Sequence, residues 1–166
     1  MGFCSYQVRR VCYHLGNSVF GGDSSRVEHR LQEGVVQVVG NACTFAAIKL
    51  NGSVITWGDS GKGGDSSRVE HRLQEGVVQV IANAWAFAAI KSDGSVITWG
   101  KSVFGGDSSR VEHRLQEGVV QVVGNAMTFA AIKSDGSVIT WGETGEGSDI
   151  SRVEHRLQEG VVQVVG

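Results

Sequence analysis

Asp23, Ser24 and His29 supply the residue types of a nucleophilic hydrolase triad, and the same set recurs as Asp65, Ser66 and His71 and again further along the chain. A triad is defined by geometry rather than spacing, and enzymes seldom carry several equal active sites in one small chain. The expected reading is a helix-capping segment with a surface imidazole. The stretch GDSGKGG at residues 58–64 holds fragments of two other motifs, a protease-like GDSG and a P-loop GK. No Ser or Thr follows Lys62, and the spacing to the preceding Gly is wrong for a phosphate cradle, so a variable loop is expected. His29, His71, His113 and His155 offer one imidazole per VEHR run without a cysteine partner, which suits solvent-facing side chains better than a metal row. No catalytic, cofactor-binding or metal residue is assigned. Asn51-Gly52-Ser53 fits the N-glycosylation pattern, but it falls in a hairpin turn.

These residues recur because the chain is one unit copied: the four histidines, and likewise Trp57, Trp99 and Trp141, are spaced by 42. Testing for such a period comes before any local reading. The consensus is GGDSSRVEHRLQEGVVQVVGNAxTFAAIKSDGSVITWGxSxx. Residues 1–14 read as a degenerate N-terminal segment and residues 15–166 as the array, with units at about 16–57, 58–99 and 100–141 and a partial unit at 142–166. Leu15-Gly16 stands where the other copies have Trp-Gly.

Within a unit, residues 23–34 predict a short helix. Ser25 and Glu28 have capping-box spacing, Gly34 supplies the stop, and Val27 and Leu31 share one face. So short a helix must dock on something. Three strands follow, VVQVV (35–39), TFAAIK (44–49) and SVITW (53–57), rich in β-branched and aromatic residues. Asn51-Gly52, Asp93-Gly94 and Asp135-Gly136 predict type I′ hairpins with positive φ at both central residues. Both alternating faces of Phe45-Ala46-Ala47-Ile48 are apolar, so both are expected to be covered. A small sheet buried on both faces and repeated at this period needs its neighbours.

The run DGSVITWG after FAAIK, with the GG and the V..L..GVVQV that follow, resembles the regulator of chromosome condensation repeat. The compact unit is also similar to the three-stranded blades of the propeller-type β-lactamase inhibitor superfamily. The resemblance covers residue 15 to the end and implies bladed β-propellers. The chain departs from the family where it reads NACTFAAI or NAWAFAAI before the second strand and GGDSS in place of a GQLG segment. The expected fold is therefore mainly β: tandem 42-residue repeats, each a short helix plus a three-stranded antiparallel blade, in an incomplete β-propeller-like array. Two other arrangements are a half-ring paired with another copy and a small ring closed by residues 11–15 and 161–165. An open array predicts homo-oligomers through its ends.

Composition narrows the partners. With 15 Lys+Arg against 17 Asp+Glu, no positive excess favours nucleic acid or an anionic membrane. No window approaches a membrane span or a secretory signal, and Tyr6 breaks the myristoylation pattern after Gly2. A cytoplasmic or nuclear location is expected. Cys4, Cys12 and Cys43 are an odd set without CxxC spacing, which suits a reducing compartment. An average proline share of roughly 5% would place about eight in this length, so their complete absence reflects one proline-free unit copied.

Copies differ mainly at the loop after Trp-Gly and at Cys43, Trp85 and Met127. The variable loops give the partner-binding residues: Ser18, Phe20, Asp59, Lys62, Lys101, Phe104, Glu143 and Glu146. Trp57, Trp99, Trp141, Gly52, Gly94 and Gly136 are read as structural. The expected function is a non-enzymatic scaffold for a protein partner, with no cofactor. The resemblance implies two alternatives, guanine-nucleotide exchange on a small GTPase, or an accessory fragment of a larger ubiquitin-ligase-type protein. Exchange needs an inserted wedge loop, and every complete unit has the same length.

Overall fold

A computed structural model describes residues 23–143. Nine strands lie within them: β1 (Val35–Gly40), β2 (Thr44–Lys49), β3 (Val54–Gly58), β4 (Val77–Ala82), β5 (Ala86–Lys91), β6 (Val96–Gly100), β7 (Val119–Gly124), β8 (Thr128–Lys133) and β9 (Val138–Gly142). They pair antiparallel in chain order as three separate three-stranded sheets. Each sheet draws its strands from one repeat, which gives three blades of an incomplete propeller-like array. Residues 1–14, Ser18, Phe20, Glu146, His155, Cys4 and Cys12, most of the partial unit, and the two segments invoked for ring closure lie outside the described residues.

The first strand of each blade does not alternate, and the pairing shows why. Val35 opposes Lys49 and Gln37 opposes Ile48, so Val36 is the extra residue of a β-bulge. Val78 and Val120 occupy the same place. The bulge turns these valines out, to 48%, 59% and 60% exposure, while Val77, Val80, Val119 and Val122 stay buried.

In the second strand Ala46, Ala47 and Ile48 are all buried, as two apolar faces require. The core sits between blades. Ala46, Ile48 and Val54 of the first blade pack with Leu73, Val80, Phe87 and Trp99 of the second, and the second meets the third through the equivalent set around Phe129. Phe87 and Phe129 are fully enclosed, each contributing roughly 1.5–3 kcal/mol by leaving water.

The hairpin between β2 and β3 is not the type I′ turn that Asn51-Gly52 predicts. Among the described residues no non-glycine has positive φ, so of the two turn residues Gly52 alone has it, at +75°. Gly52 N–H donates to Lys49 O and Lys49 N–H to Ser53 O, which makes a three-residue loop, a type I turn closed by a glycine in the left-handed region. Asn51 stays in ordinary backbone because its side chain accepts from Ser53 N–H and Ser53 Oγ, at 3.0 and 2.8 Å. A Cβ on Gly52 would also lie 2.6 Å from Gly76 N of the next blade.

The helical segment shrinks to one turn, α1 (Glu28–Leu31), and to 3-10 turns at Glu70–Arg72 and Glu112–Arg114. The capping box does not form. Val27 is the N-cap without a side-chain bond, and Asp23 Oδ1 takes Ser25 N–H at 2.9 Å. Asp65 and Asp107 do the same with Ser67 and Ser109. The aspartate two residues upstream takes the serine N–H that Glu28 would accept in a capping box, and the helix starts two residues later, with Val27 at its cap. Val27 and Leu31 do share the core-facing side, against Ala47, Ile55 and Trp57.

Backbone bonds join neighbouring blades. Val77 N–H donates to Gly52 O and Val54 N–H to Leu73 O, with Val119 to Gly94 and Val96 to Leu115 repeating the pair. Among the described residues no helix is long and apolar enough to cross a membrane.

Candidate functional site

The site begins with the tryptophans beneath the loops. Phe45 and Trp57 are register partners on β2 and β3, with ring centroids 5.4 Å apart, and Phe87–Trp99 and Phe129–Trp141 repeat the stack. Trp57, Trp99 and Trp141 are buried. Trp99 Nε1–H donates to Gly63 O and Trp141 Nε1–H to Gly105 O, both at 3.1 Å. Each of these indoles therefore supports the post-Trp-Gly loop of the preceding blade.

That loop is short and tightly wound. Asp59 Oδ1 accepts Gly61 N–H at 2.8 Å at the head of the 3-10 turn Ser60–Lys62. The equivalent turn after β6 is Ser102–Phe104. A side chain not singled out in the sequence holds each loop. Asn41 Nδ2 donates to Lys62 O at 3.1 Å while its Oδ1 accepts Cys43 N–H. Asn83 bonds Phe104 O at 2.7 Å and accepts from Trp85 N–H and Ala86 N–H. The signal was available, since Asn-Ala opens the second-strand turn in every full unit as Asn41, Asn83 and Asn125.

This tether fixes the variable residue of the turn against the variable residues of the loop. Lys62, Trp85, Lys101 and Phe104 therefore gather at one seam, together with Cys43. Lys62 Nζ lies 4.8 Å from the Trp85 ring centroid and Lys101 Nζ 4.9 Å from it. Phe104 packs on Trp85 at 5.4 Å, and Lys101 Nζ also sits 5.2 Å from the Phe104 centroid. Lys62 Nζ donates to Cys43 Sγ at 3.1 Å and lies 3.6 Å from Asp59 Oδ2. The bond to Cys43 first, with Asp59 adding to it, holds the Lys62 ammonium above the usual lysine value. Lys101 is exposed, and no carboxylate among the described residues pairs with it. Trp85, Lys62 and Phe104 are half-buried, and Cys43 is buried.

At the next seam the types change. Met127 is 43% exposed and Glu143 is exposed. Asn125 Oδ1 accepts from Met127 N–H and Thr128 N–H.

The triad types do not assemble. Ser66 Oγ lies 2.9 Å from Thr56 Oγ1, Ser108 Oγ accepts from Thr98 Oγ1 at 3.0 Å, and the neighbouring aspartates are bonded to Ser67 and Ser109. His29, His71 and His113 are exposed. Among the described residues no group of three His, Cys, Asp or Glu could hold a metal ion. The hairpin glycines Gly52, Gly94 and Gly136 all have positive φ.

No protein-family model matches the sequence, and no curated protein sequence matches it. Solved structures are similar at low identity. Human WBSCR16 is 20% identical over 65% of this chain and 33% of that one, with a TM-score of 0.49. The ectodomain of the receptor kinase ACR4 from Arabidopsis thaliana is 18% identical over 66% and 36%, with a TM-score of 0.47. Prp20p from Saccharomyces cerevisiae, the yeast RCC1, which binds Gsp1p and histones, is 17% identical over 66% and 31%, also at 0.47. The chain spans about a third of the length of each. The neighbours thus include a protein of the family that the DGSVITWG run resembles.

Proposed function

We propose that the chain is a non-enzymatic repeat scaffold that holds a protein partner through the loops following each Trp-Gly, in the cytoplasm or the nucleus. One observation carries this reading. In copies that are otherwise near-identical, the differing residues Lys62, Trp85, Lys101 and Phe104 come from different units and converge on one surface. What meets there is two ammonium groups on one half-buried aromatic pair, a set that the next described seam does not repeat. A rigid blade framework with variable loops is also the arrangement from which recognition surfaces are commonly built.

The test is capture of binding proteins by the immobilised full chain, identified by mass spectrometry. A variant altered at Asp59, Lys62, Lys101 and Phe104 should lose its specific partner while keeping its thermal melt. Equal capture of the same partner by the variant overturns the reading.

A further inference from the structure

We propose that the seam between the first two blades is a site for an acidic peptide segment of a partner protein. Lys62 and Lys101 receive its carboxylates, while Trp85 and Phe104 take an apolar side chain beside them. The inference rests on the scaffold reading and adds the chemistry of the partner.

The charge at the seam is unbalanced. Two ammonium groups lie within 5 Å of the centroid of one indole, where like charges repel unless a partner arrives. Asp59 stands beside Lys62 only, and Lys101 has no carboxylate among the described residues. The seam therefore carries a net positive charge on a chain whose formal charge is -2. A local field opposite in sign to the whole protein selects an acidic segment and steers it to this place.

The site is also organised before any ligand arrives. Cys43 Sγ fixes the Lys62 ammonium, and Asn41 and Asn83 hold both loops by their carbonyls. Side chains ordered in advance lose less freedom on binding. Trp85 and Phe104 form a half-buried aromatic pair at the centre, and tryptophan is enriched among residues that dominate interface energies.

The alternatives fit less well. A basic segment meets repulsion, and a purely apolar one strips water from two ammonium groups without replacing it. The combination belongs to this seam alone among those described, since the next one presents Phe104, Met127 and Glu143 in the corresponding places.

The experiment titrates the full chain with a fluorescein-labelled ten-residue glutamate-rich peptide carrying one central phenylalanine. Three comparisons accompany it: the glutamine counterpart of that peptide, a ten-nucleotide single-stranded DNA, and the variant K62Q/K101Q. The expected result is binding of the acidic peptide at low salt with a change in Trp85 emission. The glutamine peptide and K62Q/K101Q should each bind at least tenfold more weakly. Should the double variant lose its cooperative melt, K101Q alone, altered at an exposed side chain, should still weaken binding at least threefold. Equal affinity for the two peptides, unchanged affinity in the lysine variants, or preference for the DNA overturns the proposal. Failure of the acidic peptide while the loop variant still loses its captured partner removes this inference and leaves the scaffold standing. Undiminished capture by the loop variant removes the scaffold as well.

Discussion

Replacing Gly94 by alanine tests whether the blades are locked together through their hairpins. Gly94 has φ +78°, and a Cβ there would sit 2.8 Å from Gly118 N of the third blade, a backbone atom with no rotamer to yield. The left-handed conformation costs a non-glycine residue roughly 1–2 kcal/mol. Moving the third blade aside also threatens the bond from Val119 N–H to Gly94 O, which is worth about 0.5–1.5 kcal/mol. The expected loss is therefore roughly 1.5–3.5 kcal/mol, with both terms acting together.

Gly76 provides the control within the same blade. Its φ is +75°, but the one tight approach of an added Cβ is to Lys91 Cε, at 3.2 Å, the end of a side chain that can swing away, with Ser92 Oγ at an ordinary 3.6 Å. Gly76→Ala should cost only the conformational part, roughly 1–2 kcal/mol. Urea unfolding of the full chain, followed by tryptophan fluorescence, gives both values, and the slope should stay constant so that midpoints compare directly. Equal losses in the two variants, within about 0.5 kcal/mol, would refute the inter-blade term.

Two further outcomes follow from the same contacts. Trp99→Phe keeps an aromatic ring in the stack but leaves the Gly63 carbonyl without its indole donor, and should lower stability by about 1–3 kcal/mol in urea unfolding. The Ser95 hydroxyl, and then its backbone N–H, holds Asp93 below the usual carboxylate range. Its folded value is depressed, so the associated stability is present above the unfolded value near about 3.9 and lost as pH falls below it. Asp93→Asn keeps the turn, as Asn51 does in the first blade. The stability difference between parent and variant should be constant above about pH 5 and shrink below about pH 4, and acid titration followed by circular dichroism measures it.

The blades were legible because period and pattern agreed at every level. The FAAIK run with two apolar faces, the β-branched strands and the recurrent Trp-Gly all require a sheet covered on both sides by copies of itself. What was misread was local and chemical. Asn51-Gly52 specifies a tight turn, but its backbone class depends on which amide the Asn side chain captures, and Ser53 supplies that amide. The capping box is absent for a related reason, since Asp23 takes the Ser25 N–H that Glu28 would accept and the helix starts later, at Val27. The Val36 bulge was hidden because paired valines look the same whether one of them faces out or in. At the seam, comparing copies singles out the loop residues Lys62, Lys101 and Phe104 as variable. Their meeting with Trp85 is not legible that way, because it depends on Asn41 and Asn83 joining segments 21 residues apart.

The offset of Trp99 against Gly63 bears on how such a chain assembles. That bond spans 36 residues, and the ion pair of Arg72 with Glu112 spans 40, so every described hydrogen bond between blades closes a loop no longer than one repeat. Closing a loop costs more entropy the longer it is, and a contact map confined to nearest neighbours keeps that cost the same for each unit added. Folding can start at any pair of units and extend in either direction. Duplication of a whole unit inserts one new interface and copies the old ones intact, so the array can lengthen without creating a slower folding step.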